Sequence, residues 1–164
     1  MVEGKKVLVV CSTGGHFDAA LAVLPAFRDC CLEMVTYRAE EELRQFSPSA
    51  YGIQKVHRIS LWGNVLGLRM FLSFIANFFE ATWILIRFRP KVVFSTGSEI
   101  AIPVVFMARI LLDPRIIHLE TATRPKKVSP SGRILMPFCD DFFVQWPEAV
   151  AMAGGKTRFA GRVF

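Results

Sequence analysis

Short apolar runs alternate with longer mixed segments along the chain, and this pattern predicts strands separated by helices. A continuous apolar run is typical of a strand that is buried on both faces of a parallel sheet. Helix-length segments between such runs indicate βαβ units. We therefore predict an α/β fold, a single Rossmann-like domain over residues 1–164 with helices on both faces of a parallel sheet. The predicted strands are Val7–Cys11, Leu32–Tyr37, Lys55–Ile59, Val92–Ser95, Ile116–Leu119 and Phe142–Val144.

The segment from Trp62 to Phe88 departs from this pattern because Phe, Leu and Ile dominate it. Its polar residues Arg69, Ser73, Asn77 and Glu80 recur every three or four positions, so a helix would carry a narrow polar stripe on an apolar surface. Three placements remain open: a buried core helix with a linker, a helix that dips into a membrane surface, and a transmembrane span. Charges at Arg69 and Glu80 disfavour the span. We expect residues 62–88 to contact a membrane surface.

Composition restricts the class of protein. The 164 residues are 52% apolar, which is enough for one hydrophobic core. The net charge of +6 is compatible with nucleic acid, anionic lipid or a phosphorylated substrate. We expect no nucleic-acid partner, because no aromatic residues interleave with the basic run after residue 123. The four cysteines lack metal-ligand spacing and no signal peptide is evident, so we expect reduced thiols and a cytosolic chain.

Three polar turns directly follow predicted strands. They are Ser12-Thr13-Gly14-Gly15-His16, Ser95-Thr96-Gly97-Ser98-Glu99 and Glu120-Thr121-Ala122-Thr123-Arg124. The carboxyl ends of parallel strands meet at one edge of a sheet, so we expect these turns to converge on one crevice. Glycines ahead of a helix let backbone N–H groups approach an anion or a polar sugar.

His16 is the best candidate for proton handling, since an imidazole exchanges protons near neutral pH and a helix N-terminus favours its neutral form. Glu120 is the rival. We expect His118 to point into packing and His57 to have no role in the site. A basic run, either a solvated loop or a grip on phosphate, comprises Arg124, Lys126, Lys127 and Arg133.

Four motifs in this order carry a family resemblance: Ser12–His16, Ser95–Glu99, Glu120–Arg124 and Asp141–Glu148. Together they resemble the membrane-associated subunit of the two-chain UDP-N-acetylglucosamine transferases that extend dolichol-linked oligosaccharides. The bacterial relatives of that subunit in capsule and exopolysaccharide synthesis are similar in length. A weaker similarity extends to the N-terminal half of the single-chain transferase that makes the lipid-linked peptidoglycan precursor.

The resemblance implies the N-terminal half of a split GT-B glycosyltransferase on the cytoplasmic face of the membrane. Its expected partners are a second subunit that binds the nucleotide sugar, a polyprenyl-linked acceptor and the membrane surface, with no metal or cofactor. His16 and Glu120 would be catalytic. Lys126, Lys127 and Arg133 would contact phosphate or lipid. The acceptor would be bound by Ser12, Thr13, Gly14, Gly15, Gly97, Ser98, Glu99, Thr121 and Arg124.

Two departures from the family pattern bear on these expectations. Eukaryotic members carry an N-terminal membrane anchor, whereas here the first predicted strand begins almost at once. Attachment would then come from a partner or from elsewhere in the chain, for which residues 62–88 are the obvious substitute. Asp18 also stands where many relatives place Glu. Two other functions remain open: a non-catalytic membrane tether for a catalytic partner, and a free-standing nucleotide-binding α/β protein.

Overall fold

The computed structural model describes residues 4–37, 46–59, 68–125, 127–153 and 157–163. Within these ranges the chain forms a single sheet of parallel strands. The strands are β1 (Lys6–Val10), β2 (Cys31–Tyr37), β3 (Ile53–Ile59), β4 (Val92–Ser95), β5 (Arg115–Leu119), β6 (Asp141–Val144) and β7 (Thr157–Phe159).

The strand order β3-β2-β1-β4-β5-β6-β7 places the first strand in the middle of the sheet. On β1, Val10 lies opposite Val35 of β2 on one side and opposite Ser95 of β4 on the other. The direction in which strands are added reverses between β1 and β4, and ligands of open α/β sheets bind outside the carboxyl ends of strands at such a switch point. We call this edge the rim; it carries residues 11–16, 96–99 and 120–125.

Helices cover both faces of the sheet, as predicted. They are α1 (Gly15–Val23), α2 (Leu68–Phe88), α3 (Ala101–Leu111), α4 (Pro130–Leu135) and α5 (Pro147–Ala153). On one face, Phe17 and Ala20 of α1 pack with Val7 and Val9 of β1. On the opposite face, α2 and α3 bury the alternate β1 residue Leu8 in a second apolar cluster. The apolar run Val7–Val10 of β1 is therefore required, because both faces of the strand are covered there.

Prolines mark several helix boundaries. Pro25 cannot donate the backbone hydrogen bond that would continue α1, and the chain passes into a 3-10 turn at Leu24–Phe27. Pro147 opens α5 and Pro130 opens α4, where a missing N–H costs little.

The six predicted strands are present, with bounds that differ from the predicted ones by at most two residues, and the sheet has one further strand. β3 begins at Ile53, two residues before the predicted start. β7 was not predicted, because it has only three residues and buries only Thr157, which is too short a segment for an alternating pattern to be recognised.

Helix α2 exposes large apolar side chains and buries a polar one, which is the reverse of the pattern expected for a surface helix in water. Its polar residue Asn77 is fully buried, whereas Phe79 is 73% and Trp83 is 67% exposed. We call the exposed residues Leu72, Ile75, Phe79, Trp83 and Ile86 the apolar stripe of α2. The opposite side, at Ala81 and Leu85, packs on the sheet. Among the described helices none combines the length and hydropathy of a membrane span, and positions 62–67 of the predicted contact segment lie outside the described residues.

Candidate functional site

The first two turns of the rim are fastened to each other around His16. The His16 Nδ1 atom lies 2.7 Å from the carbonyl oxygen of Thr96. In return, the Thr96 hydroxyl donates to the carbonyl oxygen of His16, also at 2.7 Å. The convergence expected from the sequence therefore exists between the turns that follow β1 and β4.

The hydrogen bond to Thr96 fixes which ring nitrogen of His16 carries a proton. A carbonyl oxygen can only accept, so Nδ1 must be the donor, and a neutral ring then has its lone pair on Nε2. Nε2 makes no hydrogen bond with any residue in the described ranges. The ring is half-buried on the first turn of α1. His16 thus presents an imidazole nitrogen that is free to accept a proton at the rim.

Gly97 lies where the rings of His16 and His118 approach each other. Its φ is +105°, and a Cβ there would lie 3.1 Å from His16 Cε1 and 3.7 Å from His118 Cε1. His118 is fully buried on β5 and stacks on Phe142 with ring centroids 4.6 Å apart. The prediction that His118 points into packing is confirmed. Glycine is required at position 97 both by the backbone and by the two rings.

We expect Gly97→Ala to lower the free energy of unfolding by about 1–3 kcal/mol, since the added side chain is strained in this conformation, and to displace the His16 ring. Gly52→Ala is the matched control, because Gly52 also has a positive φ of +73° but open space around it. Urea denaturation and the imidazole NMR signals measure the two effects. Unchanged His16 signals in Gly97→Ala would contradict the close approach.

Glu99 is held at the rim by two hydroxyl groups. The Tyr37 hydroxyl donates to its Oε1 at 2.9 Å and the Ser98 hydroxyl to its Oε2 at 2.7 Å. Burial alone would raise the pKa of Glu99, but the hydrogen bonds from Ser98, from its own backbone N–H and from Tyr37, together with the charge of nearby His16, lower it. Glu99 is therefore an ionised carboxylate close enough to His16 to interact with it electrostatically. Sequence reasoning missed Tyr37, although it ends the strand next to β1 and so had to reach the rim.

Glu120 lies within the wall of the rim, and its side chain is 2% exposed. Its Oε1 accepts from the Thr121 backbone N–H at 2.9 Å, and its Oε2 accepts from the Ser129 hydroxyl at 3.1 Å. His118 Nε2 lies 3.8 Å from the same Oε2. Burial raises the pKa of Glu120, but nearby His118, the Thr121 N–H and the Ser129 hydroxyl lower it overall. The His118 contact is longer than a hydrogen bond, and neither ring nitrogen of His118 has a hydrogen-bond partner among the described residues. The carboxylate is ionised and engaged on all sides.

Helix α4 is built around the same carboxylate. Ser129 caps α4 by accepting from the backbone N–H of Gly132 at 2.9 Å while it donates to Glu120. A Cβ at Gly132 would overlap Glu120 Oε2 and press on Val128. Sequence reasoning missed both residues, although Ser129 followed by Pro130 is a helix-start signal.

The Gln-Trp-Pro motif after β6 is hydrogen-bonded to the backbone of the turn at residues 120–122. The Gln145 amide donates to the carbonyl oxygen of Glu120 at 3.1 Å, and its Oε1 accepts from the backbone N–H of Val163 at 3.1 Å. The Trp146 indole N–H donates to the carbonyl oxygen of Ala122 at 2.7 Å. The motif therefore has a structural role, which is to hold the Glu120 turn in place.

The remaining sequence candidates differ in exposure. Ser12 is buried, and Thr13 and Thr121 are half-buried, as is Glu99. Gly14 and Gly15 are exposed at the start of α1, whereas Gly97 and Ser98 are buried. The exposed basic candidates are Arg124, Lys127 and Arg133, for which no ion pair is found within the described ranges; Lys126 lies outside the described residues. Cys11 is no nucleophile, because burial raises the pKa of its thiol to about 12.

Comparison with known families gives one match over nearly the whole chain. The model of the family described as "Oligosaccharide biosynthesis protein Alg14 like" matches residues 7–163.

Curated relatives fall into two groups. The UDP-N-acetylglucosamine transferase subunit ALG14 of Yarrowia lipolytica is 35% identical over 77 residues, which cover 44% of this chain and 36% of the relative. The Schizosaccharomyces pombe subunit of that name is 26% identical, covering 88% and 77%. The UDP-N-acetylglucosamine--N-acetylmuramyl-(pentapeptide) pyrophosphoryl-undecaprenol N-acetylglucosamine transferase of Caldicellulosiruptor saccharolyticus is 30% identical, covering 84% and 38%. The chain thus spans well under half of several curated relatives that it matches.

Solved structures agree in fold. MurG of Acinetobacter baumannii superposes with a TM-score of 0.77 at 18% identity, covering 94% of this chain and 45% of that one. The UDP-GlcNAc 2-epimerase of Neisseria meningitidis superposes with a TM-score of 0.67 at 15% identity, covering 96% and 47%. At these identities the likeness shows a shared architecture, in which this chain corresponds to a little less than half of each structure.

Proposed function

Because this chain belongs to the family of Alg14-like oligosaccharide biosynthesis proteins, we propose that it is one subunit of a glycosyltransferase with a UDP-sugar donor. In this proposal it binds a polyprenyl-linked acceptor and brings the enzyme to the cytoplasmic face of the membrane. A second subunit supplies most of the nucleotide-sugar site. The names of its relatives support a role in UDP-N-acetylglucosamine transfer, and their greater length supports a second subunit.

One observation carries the proposal: His16 lies where two rim turns are hydrogen-bonded to each other, and its Nε2 makes no hydrogen bond with any described residue. Sugar transfer requires that an acceptor hydroxyl lose a proton as it attacks the anomeric carbon. Nε2 can take that proton without breaking the bond to Thr96, which keeps the ring oriented. A preoriented base of this kind is what the reaction needs.

Neighbouring groups support the same step. The ionised Glu99 is close enough to His16 to interact with it electrostatically and would stabilise the imidazolium that forms when Nε2 takes the proton. Glu120 acts as a positioning residue, because its carboxylate already accepts hydrogen bonds from Ser129 and Thr121. The exposed cations Arg124, Lys127 and Arg133 would bind the phosphates of the polyprenyl carrier.

Membrane recruitment rests on the apolar stripe of α2. Each large apolar side chain gains about 1.5–3 kcal/mol when it leaves water completely, so exposed Leu72, Phe79, Trp83 and Ile86 favour an apolar surface. A helix with one face on the sheet and an apolar opposite face is suited to lie in the interfacial plane of a bilayer. Binding of the isolated chain to neutral phosphatidylcholine vesicles tests this part.

The division of labour between two subunits is tested by reconstitution. Transfer of labelled N-acetylglucosamine from UDP-GlcNAc to a polyprenyl-linked acceptor is measured with this chain, with its co-purified partner, and with both. We expect turnover only in the mixture, because one lobe contains only part of the cleft. Micromolar UDP-GlcNAc binding by this chain alone, or full activity of the partner alone, would contradict the proposal.

A further inference from the structure

The sheet face beneath α2 changes character from one end to the other. On β1, Leu8 and Val10 face α2 and are fully buried, whereas Lys6 on the same face is exposed. On β2, buried Val35 is preceded on that face by Glu33. Apolar packing between helix and sheet therefore gives way to polar side chains at the amino ends of the strands, opposite the rim.

These polar side chains line a cavity of about 290 Å³, which we call the basic pocket. Its charged side chains are Lys6, Lys55, Arg87 and Glu33. Glu33 is engaged by His57, whose Nε2 lies 2.5 Å from its Oε2. Among the described residues, Lys55 and Arg87 have no ion-pair partner. The pocket thus holds three cations against one occupied carboxylate.

A groove of about 400 Å³, whose lining is apolar except for His57, Arg58 and Glu80, continues from the basic pocket along α2. His57 and Ile84 line both cavities, so the two are contiguous. The groove is bordered by Phe79 and Trp83, which are 73% and 67% exposed and belong to the apolar stripe. A ligand with an anionic head and an apolar tail would match the cations of the basic pocket and the exposed rings of Phe79 and Trp83.

We infer that the basic pocket binds the phosphate of an anionic membrane lipid, with the lipid tail along Phe79 and Trp83. Phosphate oxygens accept charge-assisted hydrogen bonds from Arg and Lys, which matches Arg87, Lys55 and Lys6. A soluble phosphate would leave the adjoining groove empty, whereas a phospholipid matches both cavities. The inference rests on the membrane contact proposed above for α2 and adds the class of lipid.

The position of the pocket implies that this lipid helps to orient α2 on the membrane. Since α2 connects parallel strands β3 and β4, it starts near the rim and ends beside the basic pocket. Its 21 residues span roughly 30 Å. A lipid bound at the far end, together with the apolar stripe, holds the helix flat on the bilayer and keeps the rim at the level of the acceptor headgroup.

Vesicle sedimentation of the full chain tests the inference. Neutral phosphatidylcholine vesicles are compared with vesicles that contain phosphatidylglycerol. We expect the anionic vesicles to bind more tightly, and Arg87→Gln to weaken that binding about fivefold, with roughly 25-fold for Lys55→Gln/Arg87→Gln. Arg28→Gln is the matched control, because Arg28 is 84% exposed and lies outside the pocket; we expect less than a twofold change.

The outcomes separate this inference from membrane recruitment itself. Equal binding to neutral and anionic vesicles would overturn the lipid pocket and leave recruitment by the stripe intact. Equal losses in Arg87→Gln and Arg28→Gln would also overturn it, because the attraction would then be general. Absence of binding to every vesicle would overturn both. Thermal stabilisation by inorganic phosphate that depends on Arg87, without any vesicle binding, would assign the pocket to a soluble anion instead.

Discussion

Replacing His16 with alanine is expected to lower the rate of sugar transfer by about 10²- to 10⁴-fold, the usual contribution of a general base. The reason is geometric: the ring is oriented by Thr96, and Nε2 is the atom left to accept the proton. The rate is measured with the partner subunit and acceptor present, and gel filtration checks that the complex still forms.

His16→Asn separates catalysis from support of the turn. An asparagine amide nitrogen can occupy the place of Nδ1 and donate to the Thr96 carbonyl oxygen, but it supplies nothing in place of Nε2. We expect His16→Asn to lower the rate of transfer to the same extent as His16→Ala. Near-normal transfer by His16→Asn would show that His16 only holds the turn, and near-normal transfer by both variants would favour the membrane-tether alternative.

Replacing Glu120 with alanine is expected to lower the free energy of unfolding at pH 7 by about 3–5 kcal/mol, the effect of removing one partner from a buried charged network. The Ser129 hydroxyl and the Thr121 N–H would lose their acceptor. Chemical denaturation measures the loss. A stable but inactive Glu120→Ala protein would instead make Glu120 a catalytic group.

The same carboxylate predicts sensitivity to acid. The folded-state pKa of Glu120 is lowered, so the unfolded chain binds the proton first as the pH falls. Its stabilisation is complete above about pH 4.3, the ordinary value for Glu, and is lost as the pH falls toward the folded-state pKa. Stability measured from pH 6 to pH 3 should therefore fall less steeply in Glu120→Gln than in wild type. Glu148→Gln, at an exposed site on α5, is the control and should leave the slope unchanged.

The sequence predicted the central part of the sheet because both faces of those strands are covered. β1 and β4 are continuous apolar runs with polar turns directly after them, so strand type and the place of the rim follow from the same pattern. The glycine at position 97 was also predictable as part of a turn. Its second constraint, the approach of two histidine rings, depends on strands that are distant in sequence.

Other features could not be predicted because they depend on packing between distant segments. The Tyr37 hydroxyl reaches Glu99 across 62 positions. Ser129 and Gly132 enter the site only because α4 folds back over the Glu120 turn. For α2 the sequence indicated an apolar helix with a polar stripe, but not that Asn77 would be buried and Trp83 exposed. Which side faces the sheet is decided by β3 and α3, not by the helix.

Gln145 connects two distant parts of the molecule through one amide group. Its nitrogen is bonded to the carbonyl of residue 120, and its oxygen to the N–H of residue 163. A shift of the segment after β7 would therefore reach the Glu120 turn through the Gln145 amide group. With a ¹⁵N label on the Gln145 side chain, the NMR chemical shift of its amide would report whether binding of a second subunit moves either of these two segments.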